Sequence, residues 1–245
     1  MKIIVVLAML IMSSNSFSQT MPNKFVALDE KLSTLPYEEK LNLINKELKK
    51  NNKEPWLYWM KAGIYEMMGE DVKTINNYKQ AIAIDPNFSG GHASLARYLT
   101  NDSTQWETAL IHINKAIEIE PTATWYHADR GEIYLMQKKY DLALKDANIE
   151  IALPDSDPAP GLILKFKTLY ASDAKKELNS FLKENDLSGA LFIMSTDDVI
   201  VLATIYDELG EKAKACKCYN SLLENYQMSD LAVPEEITKR LKKCK

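Results

Sequence analysis

The chain has 245 residues, of which 46% are hydrophobic and 26% charged, with 8 glycines, 9 prolines and 3 cysteines. This composition is typical of a folded globular protein and excludes a disordered chain, a collagen-like repeat and a small disulfide-rich scaffold. The 30 basic and 34 acidic residues give a net charge of -4, so we expect neither nucleic acid nor an anionic membrane surface as the main partner. The small number of glycines favours an all-α protein over a parallel α/β enzyme, whose strand-to-helix turns use glycine.

The N-terminal segment, residues 1–18, has the pattern of a secretory signal peptide. Lys2 gives it a positive start, an apolar run covers residues 3–12, and small residues at Ser16 and Ser18 mark a cleavage point. The apolar run is about half of the roughly 20 residues that a membrane-spanning helix needs. We therefore expect the mature protein to be exported, either periplasmic or secreted, with no stable membrane insertion after cleavage. An uncleaved N-terminal anchor is the alternative.

A period of about 34 residues organises the rest of the chain. Similar sequence segments end at three prolines, Pro86, Pro121 and Pro154, which lie 35 and 33 residues apart. The segments are YKQAIAIDP, INKAIEIEP and ANIEIALP. An aromatic-rich segment precedes each of these segments, and apolar residues recur at i, i+3 and i+4 in the aromatic-rich segment and in the one that ends at proline. This spacing excludes alternating strands and predicts that each unit is two short amphipathic helices ending at a proline.

Small residues recur where the two helices of each unit are expected to cross. They are Ala62, Ala96 and Gly131 on first helices and Ala81, Ala109, Ala116 and Ala143 on second helices. Only a small side chain lets two helix backbones approach closely. A single helix pair would leave its other apolar face exposed, so the pairs are predicted to stack on one another.

These units resemble the tetratricopeptide repeat family. Three repeats match in phase over residues 55–155, and a fourth matches over residues 196–229. The resemblance implies an all-α fold, a right-handed α-solenoid of stacked helix-turn-helix repeats with capping helices, and a concave groove that holds peptides or partner helices. Thr74 and Glu150 replace alanines of the family pattern, which predicts looser packing at these two positions.

The remaining segments are predicted to complete the solenoid. Residues 19–54 form an N-terminal cap or half-repeat with a helix that opens after Pro36. Residues 156–195 form a linker and a divergent helical pair without the small-residue signature, and residues 230–245 form a Lys-rich capping helix that begins at Pro234. Polar caps of this kind shield the last apolar faces of a solenoid.

One row of side chains is predicted to face inward from the first helices. Counting from the small crossing residues, the row contains Trp56, Trp59, Met67, Arg97, Trp125, Glu132 and Met136. Tryptophan, arginine and methionine dominate many binding surfaces, so we expect this row to bind a peptide or a partner protein in the groove. In the alternative interpretation, Trp56 and Trp59 pack against the N-terminal cap helix and Trp125 packs against its neighbour.

The resemblance does not imply a carboxylate clamp. Family members that grip the C-terminal carboxylates of chaperones use basic and asparagine side chains on the inner face. The corresponding places here carry Trp59, Gly63, Ser94 and Asp129.

The sequence carries no motif for catalysis or for a cofactor. It has no phosphate-binding glycine loop, no HExxH zinc motif and no nucleophile elbow. His92 and His127 occupy equivalent slots that usually hold a packed aromatic side chain, so we expect a structural role for them. We predict a non-catalytic interaction protein without metal or cofactor. A structural accessory subunit of an envelope or secretion assembly is the alternative, and an enzyme is a remote one.

Three cysteines lie near the C-terminus. Cys216 and Cys218 are two residues apart on a predicted helix, about 200° apart around its axis, so they should not bond to each other. The capping helix that ends at Cys244 should fold back over the last repeat. In an oxidising compartment this predicts a Cys216–Cys244 disulfide, with three free thiols as the alternative.

Overall fold

A computed structural model describes residues 21–154, 156–229 and 231–244, so the predicted signal peptide lies outside the described residues. The helices are α1 (Asn23–Ser33), α2 (Tyr37–Lys50), α3 (Pro55–Met67), α4 (Asp71–Ile84), α5 (Ser89–Leu99), α6 (Trp106–Ile119), α7 (Tyr126–Met136), α8 (Tyr140–Ile151), α9 (Ala159–Ala171), α10 (Lys175–Glu184), α11 (Thr196–Glu208), α12 (Lys212–Met228) and α13 (Glu235–Leu241). No strand occurs within these described ranges, and the predicted all-α class is confirmed.

Helices α3 to α8 form three consecutive hairpins. The two helices of each hairpin pack along each other, and each second helix also contacts the first helix of the next hairpin. The second helices α4 and α6 end at Ile84 and Ile119, two residues before Pro86 and Pro121. Proline cannot continue a helix because it lacks the N–H group and its ring clashes with the preceding turn. Successive hairpins therefore stack into the predicted α-solenoid.

The small residues lie where the helices cross. The alanines of this set, Ala62, Ala81, Ala96, Ala109, Ala116 and Ala143, are all 0% exposed. Gly131 is equally restricted, because a Cβ atom added there would collide with the side chain of Leu164 on α9. Close helix crossings thus use the small side chains that the sequence pattern singled out.

The turns inside four hairpins need a residue in the left-handed region of backbone space. Gly69 and Gly210 adopt φ values of 71° and 76°, and Lys138 and Asp173 adopt 58° and 55° at the equivalent place. Glycine reaches this conformation without steric cost. Lys138 and Asp173 show that this turn requires a positive φ even where the residue is not glycine and carries a side chain.

The fourth hairpin, α9–α10, is the divergent pair that the sequence indicated. Helix α9 packs more extensively on the preceding α8 than on its own partner α10. Gly161 explains this close approach, because a Cβ atom at that position would lie only 2.7 Å from the backbone oxygen of Ala147. Two 3₁₀ turns, Leu187–Gly189 and Leu191–Ile193, then lead into the regular hairpin α11–α12 and the terminal helix α13.

Two hydrophobic cores follow each other along the chain. The first includes buried residues from Met21 to Ile133, and the second includes buried residues from Phe166 to Ile237. The buried carboxylates Asp146 and Glu150 lie on α8, in the stretch where the first core ends and the second begins. The packing in this stretch therefore combines two buried carboxylates with apolar side chains such as Ala147 and Leu164.

The looser packing predicted at Thr74 and Glu150 is not found. Both residues are 0% exposed. The Thr74 hydroxyl donates a hydrogen bond to the Glu70 carbonyl within its own helix, and the Glu150 carboxylate accepts hydrogen bonds from backbone N–H groups of Trp125 and Ala128. A polar side chain can occupy an alanine slot when its polar atoms find partners there.

Candidate functional site

The first helices α3, α5, α7 and α9 form a surface that we call the inner face. Direct contacts join α5 to α7 and α7 to α9. A hydrogen bond between Trp59 and Ser94 joins α3 to α5. All seven residues of the predicted binding row lie on this face or at its N-terminal edge, but their accessibility differs strongly along it.

The two N-terminal tryptophans of the row are part of the packing. The Trp56 ring lies 6.1 Å from the Phe25 ring of α1, 5.7 Å from Trp59 and 4.7 Å from Phe88, measured between ring centroids. Trp59 is 8% exposed, and its indole N–H donates a 2.7 Å hydrogen bond to the Ser94 hydroxyl. The contact between Trp56 and Phe25 corresponds to the alternative interpretation, in which the N-terminal cap packs against this tryptophan.

The other side chains of the predicted row differ in the fraction of their surface that is exposed. Met67 is half-buried against the first core, and Trp125 is half-buried at the start of α7. The side chains of Arg97 and Glu132 are 38% and 29% exposed. Met136 is 50% exposed at the end of α7. The accessible part of the inner face therefore runs from α5 to α9.

A polar contact bridges each junction between successive first helices. Besides the Trp59–Ser94 hydrogen bond, the Arg97 guanidinium lies 3.7 Å from the Asp129 carboxylate. The Glu132 carboxylate accepts a 2.6 Å ion-paired hydrogen bond from Lys167. Side chains of the predicted binding row thus also hold neighbouring repeats together.

The central bridge differs from the other two because it contains no hydrogen bond. The Asp129 Oδ2 atom is buried and accepts no hydrogen bond from the described part of the chain, although Arg97 faces it. Burial raises the pKa of Asp129 to about 7, the nearby Arg97 partly offsets this rise, and the carboxylates of Glu150 and Glu132 add to it. Burial also raises the pKa of Glu66, whose carboxylate attracts the same guanidinium from α3.

Glu150 caps the N-terminus of α7 from the neighbouring helix. Its two carboxylate oxygens accept hydrogen bonds from the backbone N–H groups of Trp125 at 2.7 Å and Ala128 at 3.3 Å. Trp125 has a φ of 82°, an uncommon conformation for a residue with a large side chain. Burial raises the pKa of Glu150, and the two backbone hydrogen bonds partly offset that rise. The Glu150 carboxylate therefore holds the unusual entry into α7.

A second buried carboxylate ties α7 to α8. Asp146 accepts hydrogen bonds from the Arg130 guanidinium at 2.6 and 2.8 Å, and its Oδ1 atom lies 3.3 Å from Nδ1 of His127. Burial alone would raise the pKa of Asp146, but the contacts with Arg130 and His127 hold it below its usual value. His127 is therefore a packed partner of an ion pair.

His92 also has a packing role. Its Nδ1 atom lies 3.0 Å from Nδ1 of His112, and its Nε2 atom lies 3.1 Å from the carbonyl oxygen of Pro86. Burial lowers the pKa of both rings, so the neutral forms are favoured. A neutral pair can satisfy all three ring nitrogens when His92 Nε2–H donates to the Pro86 carbonyl and His112 Nδ1–H donates to His92 Nδ1.

The C-terminal helix is fixed on the last hairpin. Cys216 and Cys244 form a disulfide between α12 and the end of the chain. Arg240 on α13 donates a 2.8 Å hydrogen bond to Asp207 on α11, and Ile237 is buried in the second core. Cys218 is a buried free thiol, and burial raises its pKa to about 12.

The described ranges show no arrangement for a metal ion or a membrane span. No group of three histidine, cysteine, aspartate or glutamate side chains within them could hold a metal ion. Within the same ranges, no helix combines the length and the apolar character needed to cross a bilayer.

Neither family models nor curated proteins match this chain, but solved structures do. PilW, a type IV pilus biogenesis factor, is 17% identical with a TM-score of 0.67, covering 88% of this chain and 95% of PilW. A tetratricopeptide repeat protein from Parabacteroides merdae is 14% identical with a TM-score of 0.58, covering 84% of this chain and 77% of that one. The chain has the tetratricopeptide repeat fold. Yeast Tom70 shares it, with 18% identity and a TM-score of 0.60, covering 90% of this chain and 45% of Tom70.

Sequence reasoning missed the charged partners of the tetratricopeptide repeat inner face. Asp129 and Lys167 lie opposite Arg97 and Glu132 across two successive junctions. In the sequence, Asp129 was noted only as a departure from a carboxylate clamp, and Lys167 carried no signal. Glu150 did carry a signal, because it stands in an alanine slot. The physical meaning of that departure is a cap for the preceding helix α7, and this could be recognised only from the three-dimensional position of the α7 N-terminus.

Proposed function

We propose that the protein is an exported, non-catalytic interaction module that binds a segment of a partner protein on the inner face between α5 and α9. The observation that carries the proposal is the exposed pair Met136 and Tyr170, whose side chains are 50% and 52% exposed. They follow Glu132 and Lys167 by four and three residues, so each lies one helical turn beyond the ion pair that joins α7 to α9.

This surface has the chemistry of a protein interface. Methionine adapts its shape to a partner, and tyrosine combines a large apolar ring with a polar tip. Arg97 lies on the same face, with a side chain that is 38% exposed and a guanidinium that approaches Asp129 to only 3.7 Å. An array of stacked repeats presents such side chains along an extended concave surface suited to a partner segment.

Export is part of the proposal and rests on the signal-peptide pattern of residues 1–18. The likeness to PilW, a pilus biogenesis factor, fits an envelope location. Export also supplies the oxidising environment in which a Cys216–Cys244 disulfide persists.

Photo-crosslinking in the native host tests the proposed surface. We expect a crosslinkable amino acid at position 136 or 170 to trap the same partner, and Met136→Asp with Tyr170→Asp to prevent its capture. Val72 on α4 and Ile111 on α6 are matched controls, because they are 74% and 69% exposed on second helices. Crosslinks from positions 72 and 111 together with none from 136 and 170 would move the interface to the outer face and contradict the proposal.

A further inference from the structure

The junction between α5 and α7 is the weakest of the three polar bridges on the inner face. The flanking junctions contain hydrogen bonds of 2.7 Å (Trp59 to Ser94) and 2.6 Å (Lys167 to Glu132). At the central junction, Arg97 and Asp129 approach to only 3.7 Å without a hydrogen bond. An ion pair in this geometry depends on the charge of both partners, because no directional bond holds it.

Two carboxylates, one from each neighbouring repeat, attract the Arg97 guanidinium. Asp129 belongs to the following repeat, and the carboxylate of Glu66 attracts the guanidinium from the preceding repeat. Glu66 itself is held by a 2.9 Å hydrogen bond from the Tyr78 hydroxyl. The guanidinium therefore has two alternative partners, one of which is fixed in place.

The charged and titratable groups facing this junction come from five helices. They are Glu66 on α3, Tyr78 on α4, Arg97 on α5, Tyr126 and Glu132 on α7, and Glu150 on α8. Glu132 is neutralised by Lys167, and Glu150 is engaged by two backbone N–H groups. Asp129 differs from these carboxylates because its Oδ2 atom is buried with no hydrogen bond to compensate its charge within the described residues.

We propose that the proton on Asp129 switches the partner of Arg97: an ionised Asp129 draws the guanidinium towards α7, and a neutral Asp129 releases it towards Glu66 on α3. The switch operates near neutral pH, because burial raises the pKa of Asp129 to about 7. Protonation removes one negative charge from the inner face and breaks the ionic link between the second and third repeats. This inference concerns the fold itself and does not require a bound partner.

The consequence for binding rests on the proposed function. Arg97 lies on the surface proposed to receive the partner segment, so loss of the negative charge at Asp129 favours an acidic segment there and disfavours a basic one. Acidification thus shifts the preference of the inner face from a basic to an acidic partner segment.

NMR on the full mature protein tests the switch without any partner. We expect the carboxyl carbon of Asp129 to titrate with a midpoint near pH 7, and the Arg97 Nε–H signal to shift with the same midpoint. In Asp129→Asn the Arg97 signal should stay constant between pH 5 and pH 8.5. Glu132→Gln removes a carboxylate of the same face that is already paired, so it should keep the Arg97 titration.

Stability against urea gives a second, independent measurement. Because the folded state raises the Asp129 pKa from its usual value of 3.8 to about 7, the wild type loses stability relative to Asp129→Asn as the pH rises from about 4 to 7, and the difference levels off above pH 7. The switch is overturned by an Asp129 midpoint near pH 4, by an Arg97 signal that ignores pH in the wild type, or by an Arg97 titration that persists in Asp129→Asn. A failure of crosslinking from positions 136 and 170 would overturn the binding surface and leave these readouts unchanged.

Discussion

The two ends of the helical stack are closed by different chemistry, and the middle is left open. At the N-terminal end, α1 places Phe25 on Trp56 and an aromatic cluster covers the inner face. At the C-terminal end, α13 is held by the Cys216–Cys244 disulfide and by the ion pair between Arg240 and Asp207. The inward-facing tryptophans near the N-terminal end are therefore packed, whereas Glu132 and Met136 in the middle of the inner face are accessible.

This comparison shows that a residue which faces inward from a first helix is not accessible for that reason alone. Trp59 and Glu132 both point inward from first helices, and each bonds to the following repeat. Trp59 is buried, with the Trp56 ring 5.7 Å away and its indole N–H bonded to the Ser94 hydroxyl. The glutamate remains 29% exposed, since no helix lies across the middle of the inner face in the described residues.

The largest expected effect is at the N-terminal end. Trp59→Ala should lower the free energy of unfolding by about 3–5 kcal/mol, because it empties a large buried site and leaves the Ser94 hydroxyl without its donor. Met136→Ala, on the exposed part of the same face, should change it by less than about 0.5 kcal/mol. Urea denaturation of both variants measures the difference, and equal losses would contradict the division into covered and open regions.

A somewhat smaller effect is expected at the C-terminal end. Cys244→Ser opens a loop whose ends are 28 residues apart, which should cost about 3–4 kcal/mol of stability. Thermal denaturation with and without a reducing agent measures this, and reduction should erase the difference between wild type and variant. Mass analysis of the alkylated wild type should find one free thiol, Cys218; three free thiols would show that the bridge is absent.

The smallest of the three effects is expected in the middle, at Glu150. Glu150→Ala restores the residue of the repeat pattern but leaves the backbone N–H groups of Trp125 and Ala128 without acceptors, which should cost about 2–3 kcal/mol. Thr74→Ala makes the matching change where the side chain bonds only within its own helix, and should cost less than about 1 kcal/mol. A Glu150→Ala variant as stable as the wild type would refute the capping role.

The helical framework could be predicted from the sequence because its signals are local. The period of the prolines places the ends of α4 and α6, and the small residues mark the helix crossings. Each signal expresses a backbone requirement, either a missing N–H group or a close approach, that holds whatever lies further away.

The exposure of the residues in the predicted row could be anticipated only in part. Residue spacing placed Arg97, Glu132 and Met136 on the inner face, where their side chains are accessible. Spacing could not show that α1 covers Trp56, because α1 carries none of the repeat signals and its position depends on packing. Asp129 was noted only as a departure from a clamp, since a raised pKa arises from burial and from neighbours on other helices.

The sequence by itself therefore determined the repeat, the ends of α4 and α6 and the crossing points, because these follow from steric limits that act within one hairpin. Only the tertiary structure decided which inward-facing residues are covered, which carboxylate caps α7 and which charge Arg97 faces. Those properties depend on the distance and rotation between repeats, and small changes in either decide whether a side chain meets water, an apolar ring or an opposite charge.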